Sequence, residues 1–460
     1  MTLRLEEIMH MLQRNLLFAV IVTAIICLLV FLFYRFIYVR KCAGDRRWNE
    51  KQLIGYMLFV VYIVCVCALT LLNRGVHYEG SVNLALFSSY REAWYEFSLR
   101  DWQYIYFNIA MFVPFGIFLP VLFKRFSALR WTLLATLLFT AFIEILQYIT
   151  GVGIFELDDL FNNLLGALIG FGLVKAVTLK ELRLRMLSLM PLLLVIGLSI
   201  ALFTYYEQKE FGNLAIVPVN KVKMDNVQVT AERAFTDNHP VKQVYKAPSL
   251  TKDEAAQKAD ELFKNLNVDT SEIEVIDYQN EANYRYNGEP SYFIWLHYLD
   301  GSYEITDFSS FDVKFADTNK QALLAKLQKM GITVPEQAQF KRKKLGHYIW
   351  EIKQVEQENH LFDGTLEVEY YQDNTIKNVV NNIVTYEKVK EIKLKSEQQA
   401  YQELLAGKFT VAEKNIHEIN IQQVKLTYEL DSKGFYQPVY AFISTIDGEK
   451  NIIYIPGIDA

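Results

Sequence analysis

Apolar residues come in unbroken runs over the first two hundred positions and alternate with polar ones over the rest. A bilayer core about 30 Å thick takes about 20 residues of helix. Six runs reach that length, at 16–39, 53–72, 104–123, 131–149, 160–178 and 186–204. The first is too long for a cleavable leader, is followed by Arg35, Arg40 and Lys41, and lacks a small-residue cleavage site, so it reads as a span. The sixth contains Pro191, which a membrane helix tolerates when neighbours satisfy the freed carbonyl.

Beyond residue 204 the pattern changes. Residues 205–250 read as a spacer, with Pro218, Pro240 and Pro248 and little periodicity. A helix followed by alternating strands then recurs three times. The helices are Thr251–Leu266, one starting near Asn319, and Ser396–Ala406. Thr251 with Glu254, and Ser396 with Gln399, have capping-box spacing. Asp300-Gly301, Asp363-Gly364, Asp373-Asn374 and Asp447-Gly448 fall between alternating stretches, where such dipeptides predict tight turns. The expected fold is a transmembrane α-helical bundle of about six spans plus an α+β domain of helix-on-antiparallel-sheet modules. The domains are 1–204, the spacer 205–250, and modules at 251–317, 318–394 and 395–460.

Charge sharpens the division. Residues 1–204 hold 18 Lys+Arg and 13 Asp+Glu, while 205–460 hold 29 and 39. This balance excludes a nucleic-acid binder, a collagen and a disordered chain. Basic residues cluster after the first, third and fifth runs, at Arg40 to Lys51, Lys124 to Arg130 and Lys180 to Arg185. The positive-inside rule makes those loops cytoplasmic, so both termini and the whole C-terminal domain lie outside a multi-pass cell membrane. All four cysteines precede residue 68, so the outer domain is free of disulfides, as suits a Gram-positive envelope. Cys65 and Cys67 read as apolar fillers.

Polar residues within the apolar runs gather at one depth, near the outer surface. Asn108 is near the start of the third run, Glu144 and Gln147 share a face near the end of the fourth, and Asp158, Asp159 and Asn163 open the fifth. Ionisable residues inside membranes are costly and are kept for function or pairing. The competing readings are helix caps for the two aspartates and interhelical hydrogen bonds for Gln147 and Asn108. With Arg74 from the outer loop, these residues are the ligand-binding candidates. Pro114 and Gly116 predict a kink in the third span, and Gly166 with Gly170 a helix-packing surface. No metal site is assigned, although this oxygen-rich set suits a hard divalent cation such as Mg²⁺ or Ca²⁺. In the outer domain no histidine has a second His or Cys at ligand spacing, and no H-E-x-x-H or G-x-S-x-G string occurs. His297 reads as a packed or rim residue, and the run Lys341–Lys344 as a solvated turn, with contact to anionic wall polymer or lipid headgroups as the alternative.

The strings NIAMFVPFG (108–116), FIEILQ (142–147) and ELDDLFNNLLGALIG (156–170) resemble the three signature stretches of the VanZ-like family, over about 53–178. Val82-Asn83-Leu84 and Leu72-Asn73-Arg74 are weaker matches. The chain departs from the family at Gly151-Val152-Gly153, where many members have an arginine, and at Ala141 and Ala85-Leu86. The outer modules resemble PepSY-type domains. The VanZ-like resemblance implies a bacterial membrane protein that lowers susceptibility to glycopeptides such as teicoplanin, and it brings no reaction with it. The first reading is therefore a non-enzymatic protein that binds or organises an envelope component. Its partners would be the lipid bilayer, a lipid-linked cell-wall precursor or wall polymer, and a membrane protein docked through the outer domain. A membrane enzyme or flippase acting on a lipid-linked precursor is the alternative, and a sensor is a third.

Overall fold

The computed structural model describes residues 50–72, 81–97, 99–278, 280–411 and 416–459. The run at 16–39 and Arg74 lie outside the described residues. The chain divides into a helical unit ending at Lys209 and a sheet unit beginning at Glu210.

In the helical unit, α1 (Glu50–Cys67) closes in a π-helical turn, Ala68–Leu72. A short strand β1 (Val82–Asn83) and α2 (Ser88–Tyr95) follow, then α3 (Leu99–Leu122), α4 (Leu129–Thr150), β2 (Phe155–Glu156), α5 (Leu157–Thr178) and α6 (Leu182–Gln208). Among the described residues, five helices, α1 with its π-turn and α3 to α6, are long and apolar enough to cross a membrane. Helix α6 runs four residues past the 204 boundary. Helix α3 continues through both Pro114 and Pro120 without a break in its helical assignment.

Helix α3 is central because its two faces feed two clusters. Phe112, Phe115 and Leu119 pack with Val66 and Ile143, while Trp102, Ile105 and Ile109 pack with Ala93 and Ile169. Glycine sets its distance from α5. A methyl on Gly166 would overlap the Ile109 carbonyl, one on Gly170 that of Val113, and one on Gly116 that of Ala167. The two backbones touch where side chains would hold them apart, as small residues allow in membrane helix pairs.

The sheet unit carries one open sheet of 14 strands. They are β3 (Gln228–Ala231), β4 (Val241–Lys246), β5 (Glu274–Asp277), β6 (Glu281–Tyr286), β7 (Tyr292–His297), β8 (Tyr303–Asp307), β9 (Gln339–Lys344), β10 (His347–Gln357), β11 (His360–Tyr370), β12 (Ile376–Asn381), β13 (Val384–Lys393), β14 (Glu418–Leu430), β15 (Phe435–Ile446) and β16 (Glu449–Pro456). They run in the order β3-β14-β15-β4-β13-β11-β12-β8-β7-β6-β5, with β16 on β15 and with β10 on β11 and β9. Pairing is antiparallel except between β3 and β14. The stretch 205–250 contributes β3 and β4, and β4 joins β13 to β15. Helices α7 (Lys252–Asn265) and α8 (Lys320–Lys329) cover a single core built from both the first and second helix–strand sets. Helix α9 (Glu397–Leu405) covers another, with β14 and β15. Both capping boxes form, Thr251 with Glu254 and Ser396 with Gln399.

Two turns differ from their expectations. The run Lys341–Lys344 lies in strand β9, paired antiparallel with β10, and the Asp363-Gly364 turn is also displaced. Asp363-Gly364 lies inside β11 (His360–Tyr370), and the turn before that strand is at Glu358-Asn359. Gly364 marks the point where β11 changes partner: residues 360–363 pair with β13, and 366–370 with β12 (Ile376–Asn381). Its backbone lies at φ 124°, and a side chain would collide with the Asn382 carbonyl, so glycine is needed there for close approach. Asp447-Gly448 does form a hairpin turn, with both residues at positive φ, 48° and 88°.

Candidate functional site

The polar residues of the helical unit meet around the start of α5. Asp158, in its first turn, is 1% exposed. Its carboxylate accepts four hydrogen bonds: from the backbone N–H groups of Phe87 (2.5 Å) and Ser89 (2.9 Å), and from the hydroxyls of Ser89 (2.5 Å) and Ser88 (3.2 Å). The two N–H groups are among those that the N-terminus of α2 leaves unsatisfied. The helix Asp158 caps is therefore α2, whereas α5 itself begins at Glu156 with no side-chain cap. Phe87 sits at φ 63°, a conformation costly for an aromatic residue, and the bond from its N–H to Asp158 holds it there.

The neighbours of Asp158 also make holding contacts. Asn108 on α3 donates its amide to Asp159 at 2.5 Å. Glu144 on α4, 2% exposed, accepts the Glu156 N–H at 3.2 Å, which ties α4 to β2. Gln147 donates to the Thr70 carbonyl in the π-turn at 2.9 Å, and Asn163 donates to the Thr140 hydroxyl at 2.6 Å. Tyr90 on α2 donates to the Asn162 carbonyl oxygen. Two buried amide oxygens, Gln147 Oε1 and Asn163 Oδ1, find no hydrogen-bond partner among the described residues. Each lies on a residue no more than 3% exposed.

Several participants escaped the sequence reading. Thr132, Thr136 and Thr140 are fully buried and extend the Glu144 stripe along α4 in steps of four. That spacing is visible in the sequence, but threonine in an apolar run reads as neutral filler. Ser88, Ser89 and Tyr90 sit in a short polar segment with no apolar period to flag it. Beneath them β1 pairs in parallel with β2, and Asn83 donates to Ser88 at 2.9 Å.

The cluster thus brings together Asn108 with Asp159, Glu144 with the start of α5, and Asn163 with the threonine stripe. Asp158 is turned to α2. Chemically it is rich in oxygen acceptors, two of them unmet, within a tightly packed helix group. Among the described residues, no group of three or more His, Cys, Asp or Glu side chains has a metal-holding arrangement.

Residues 59–179, which enclose every member of the cluster, match the VanZ/LLP1 family. No curated protein matches the chain. Among solved structures, an uncharacterized protein from Eubacterium rectale ATCC 33656 is 10% identical, with a TM-score of 0.25, covering 50% of this chain and 87% of that one. The Bacillus megaterium YpeB C-terminal domain is 11% identical, with a TM-score of 0.20, covering 46% of this chain and 94% of that one.

Proposed function

We propose that this is a cell-envelope membrane protein of a Gram-positive bacterium that lowers susceptibility to glycopeptides such as teicoplanin. It does so by binding or organising an envelope component at the outer membrane face, with the C-terminal domain outside. The observation that carries this reading is that the family match at residues 59–179 coincides with the buried acceptor cluster. Two unmet amide oxygens beside Glu144 support it, because buried polar atoms are nearly always satisfied and exceptions concentrate where a ligand or water completes the set. The component's polar head would be a hydrogen-bond donor or a cation-bridged group, received by Glu144, Gln147, Asn163 and the Asn108–Asp159 pair. Asp158 would serve by holding α2 over the cluster.

The test compares wild type, a full deletion, and a Glu144→Gln strain at equal membrane abundance, reading teicoplanin susceptibility and surface retention of fluorescent glycopeptide. Glu144→Gln keeps an oxygen for the Glu156 N–H while removing the charge. The expected outcome is a susceptibility close to that of the deletion. Wild-type behaviour of Glu144→Gln, alongside a sensitised deletion, would remove the cluster from the function.

A further inference from the structure

The sheet unit has a second set of unmet polar atoms, and these lie at strand positions that face away from the core. Alternation assigns the faces. Along β6 (Glu281–Tyr286), β7 (Tyr292–His297), β8 (Tyr303–Asp307), β12, β11 and β10 (His347–Gln357), one side chain of each successive pair enters the core under α7 and α8, among them Ala282, Ile294, Ile305, Val379, Val368 and Tyr348. The intervening residues point the other way. They form two neighbouring cross-strand rows. One runs Asn283, Trp295, Glu304, Val380, Glu367, and the other Arg285, Phe293, Thr306, Asn378, Glu369, His347.

Three side-chain atoms in these rows, Asn283 Nδ2, Asn378 Oδ1 and His347 Nε2, are buried and find no partner among the described residues. Asn283 is fully buried. His347 Nδ1 lies 3.1 Å from Glu369 Oε1 and donates to it, which leaves Nε2 an acceptor. His347, Asn378, Glu367 and Glu369 line a recess of about 50 Å³, room for a hydroxyl or two. Aromatic rings border the rows. Tyr278, 42% exposed, stacks on Trp295 at 5.4 Å, and Phe308, which packs on Phe293 at 4.5 Å, is followed by Phe311 at 83% exposure.

We propose that this face binds an uncharged glycan chain. The carboxylates here are already engaged, Glu369 by His347, Glu281 by His297 at 3.0 Å, Glu367 by Lys343 at 2.6 Å and Glu304 by the Thr306 hydroxyl at 3.3 Å. Apart from Glu304, these pairings answer the acidic charge that a cationic peptide would need. Arg285 in the same rows is engaged by the Asn283 oxygen and the Phe293 ring, so the rows offer anionic polymer no free cation. What is unmet is neutral: one donor and two acceptors. Asn283 is fully buried, so the unmet atoms a ligand meets at the recess are the two acceptors, and sugar hydroxyls complete them by donating. The C–H faces of pyranose rings pack on exposed aromatic surface, which Tyr278 and Phe311 supply at the border of the rows. The inference deepens the preceding reading, on whose outward placement its physiological meaning rests, but the binding itself does not depend on that placement.

The experiment titrates full-length protein in detergent micelles with chitohexaose and cellohexaose, and with hexalysine as the charged comparison, by calorimetry and saturation-transfer NMR. At least one hexasaccharide is expected to bind. Tyr278→Ala, at an exposed position that leaves the core intact, and Asn378→Ala are each expected to weaken it about tenfold without moving the thermal unfolding midpoint. Three results would overturn the proposal: no saccharide binding at about 10 mM, well above the millimolar range where the weakest specific sites saturate; binding unchanged in both variants; or preference for hexalysine. Because the assay reads sugar binding directly, its failure leaves the teicoplanin experiment standing, and the reverse also holds.

Discussion

Each region of the molecule contains a nearly identical aspartate knot, and the two differ in what they leave unmet. Asp158 in the helical unit and Asp431 in the sheet unit are each 1% exposed. Asp158 takes four donors around the start of α2. Asp431 likewise takes four, from the N–H groups of Gly212 (2.6 Å), Lys433 (2.8 Å) and Phe435 (2.8 Å) and from the Gln437 amide (2.5 Å). Both fasten an irregular segment, the loop ahead of α2 in one and the chain just after the last membrane helix in the other. The unmet atoms tell the regions apart. In the helical unit they are Gln147 Oε1, Asn163 Oδ1 and Trp102 Nε1, all on membrane helices. In the sheet unit three of them, on Asn283, His347 and Asn378, sit at strand positions opposite the core under α7 and α8. A buried carboxylate is thus no pointer to function by itself, and the position of the unsatisfied atoms discriminates better.

The largest effect that would break this comparison comes from the helix contact beneath the first cluster. Gly166→Leu puts a branched side chain where the Ile109 carbonyl lies, so α3 and α5 must separate. Overpacking a well-filled core costs about 1–3 kcal/mol, and here the obstruction is backbone that has no rotamer to change. The protein should be lost from the membrane fraction or become protease-sensitive across residues 99–178. A normally folded Gly166→Leu protein would show that the interhelical positions of Gln147 and Asn163 are not fixed by that contact.

Next come the two knots. Asp158→Ala and Asp431→Ala each strand four donors, and each should cost about 3 kcal/mol of the stability of its own unit. Hydrogen exchange separates the losses: Asp158→Ala should loosen α2, and Asp431→Ala residues 210–214 and 431–437. If Asp158→Ala kept α2 protected while teicoplanin susceptibility rose, its carboxylate would belong to the ligand set after all. A smaller effect sharpens the picture of the threonine stripe. Thr140→Val removes the acceptor for Asn163. It should cost about 0.6 kcal/mol, the usual worth of an interhelical hydrogen bond in a bilayer, visible as a shift in the detergent melting curve.

Legibility in the sequence followed the physics of each region. The five described membrane helices are read from hydropathy, since a run of that length has few other solutions in lipid. Asn108, Glu144, Gln147, Asp158, Asp159 and Asn163 stood out because polar residues are rare in such runs. Their partners did not, because Ser88, Ser89 and the Phe87 backbone come from a polar loop some 70 positions away. The helices of the sheet unit and their capping boxes were legible from local spacing alone. Asp363-Gly364 was not, because the same dipeptide serves a hairpin turn at Asp447-Gly448 and a partner change inside β11, and only the long-range pairing of β12 and β13 decides which. The strands within 205–250 were missed for a similar reason. β4 is six residues long and half exposed, and its place between β13 and β15 is a tertiary fact.

The smallest expected effect concerns the strand face away from the core and is a dependence on pH. Burial holds the His347 imidazole below its ordinary value of 6.5, and the charges of Lys344 and Lys343 act in the same direction, against the opposing pull of Glu369 and Glu367. The imidazole also packs against the ring of Phe315 at 4.4 Å. A folded value below the unfolded one means that the unfolded chain takes up the proton first. Stability from this group is therefore complete above about 6.5 and declines as pH falls from there toward the depressed folded value. His347→Gln should flatten that part of the stability profile, measured as urea midpoints from pH 7 down to 5. If the glycan reading holds, saccharide affinity should fall later in the same titration, as pH reaches the depressed folded value, because only there does the folded imidazole take the proton that turns Nε2 from acceptor to donor. Asn378→Ala should keep the stability slope while weakening the sugar, which separates a residue that titrates from one that only contacts the ligand. A slope unchanged by His347→Gln would assign the dependence to the surrounding carboxylates, and would leave His347 as a packed side chain beside Phe315.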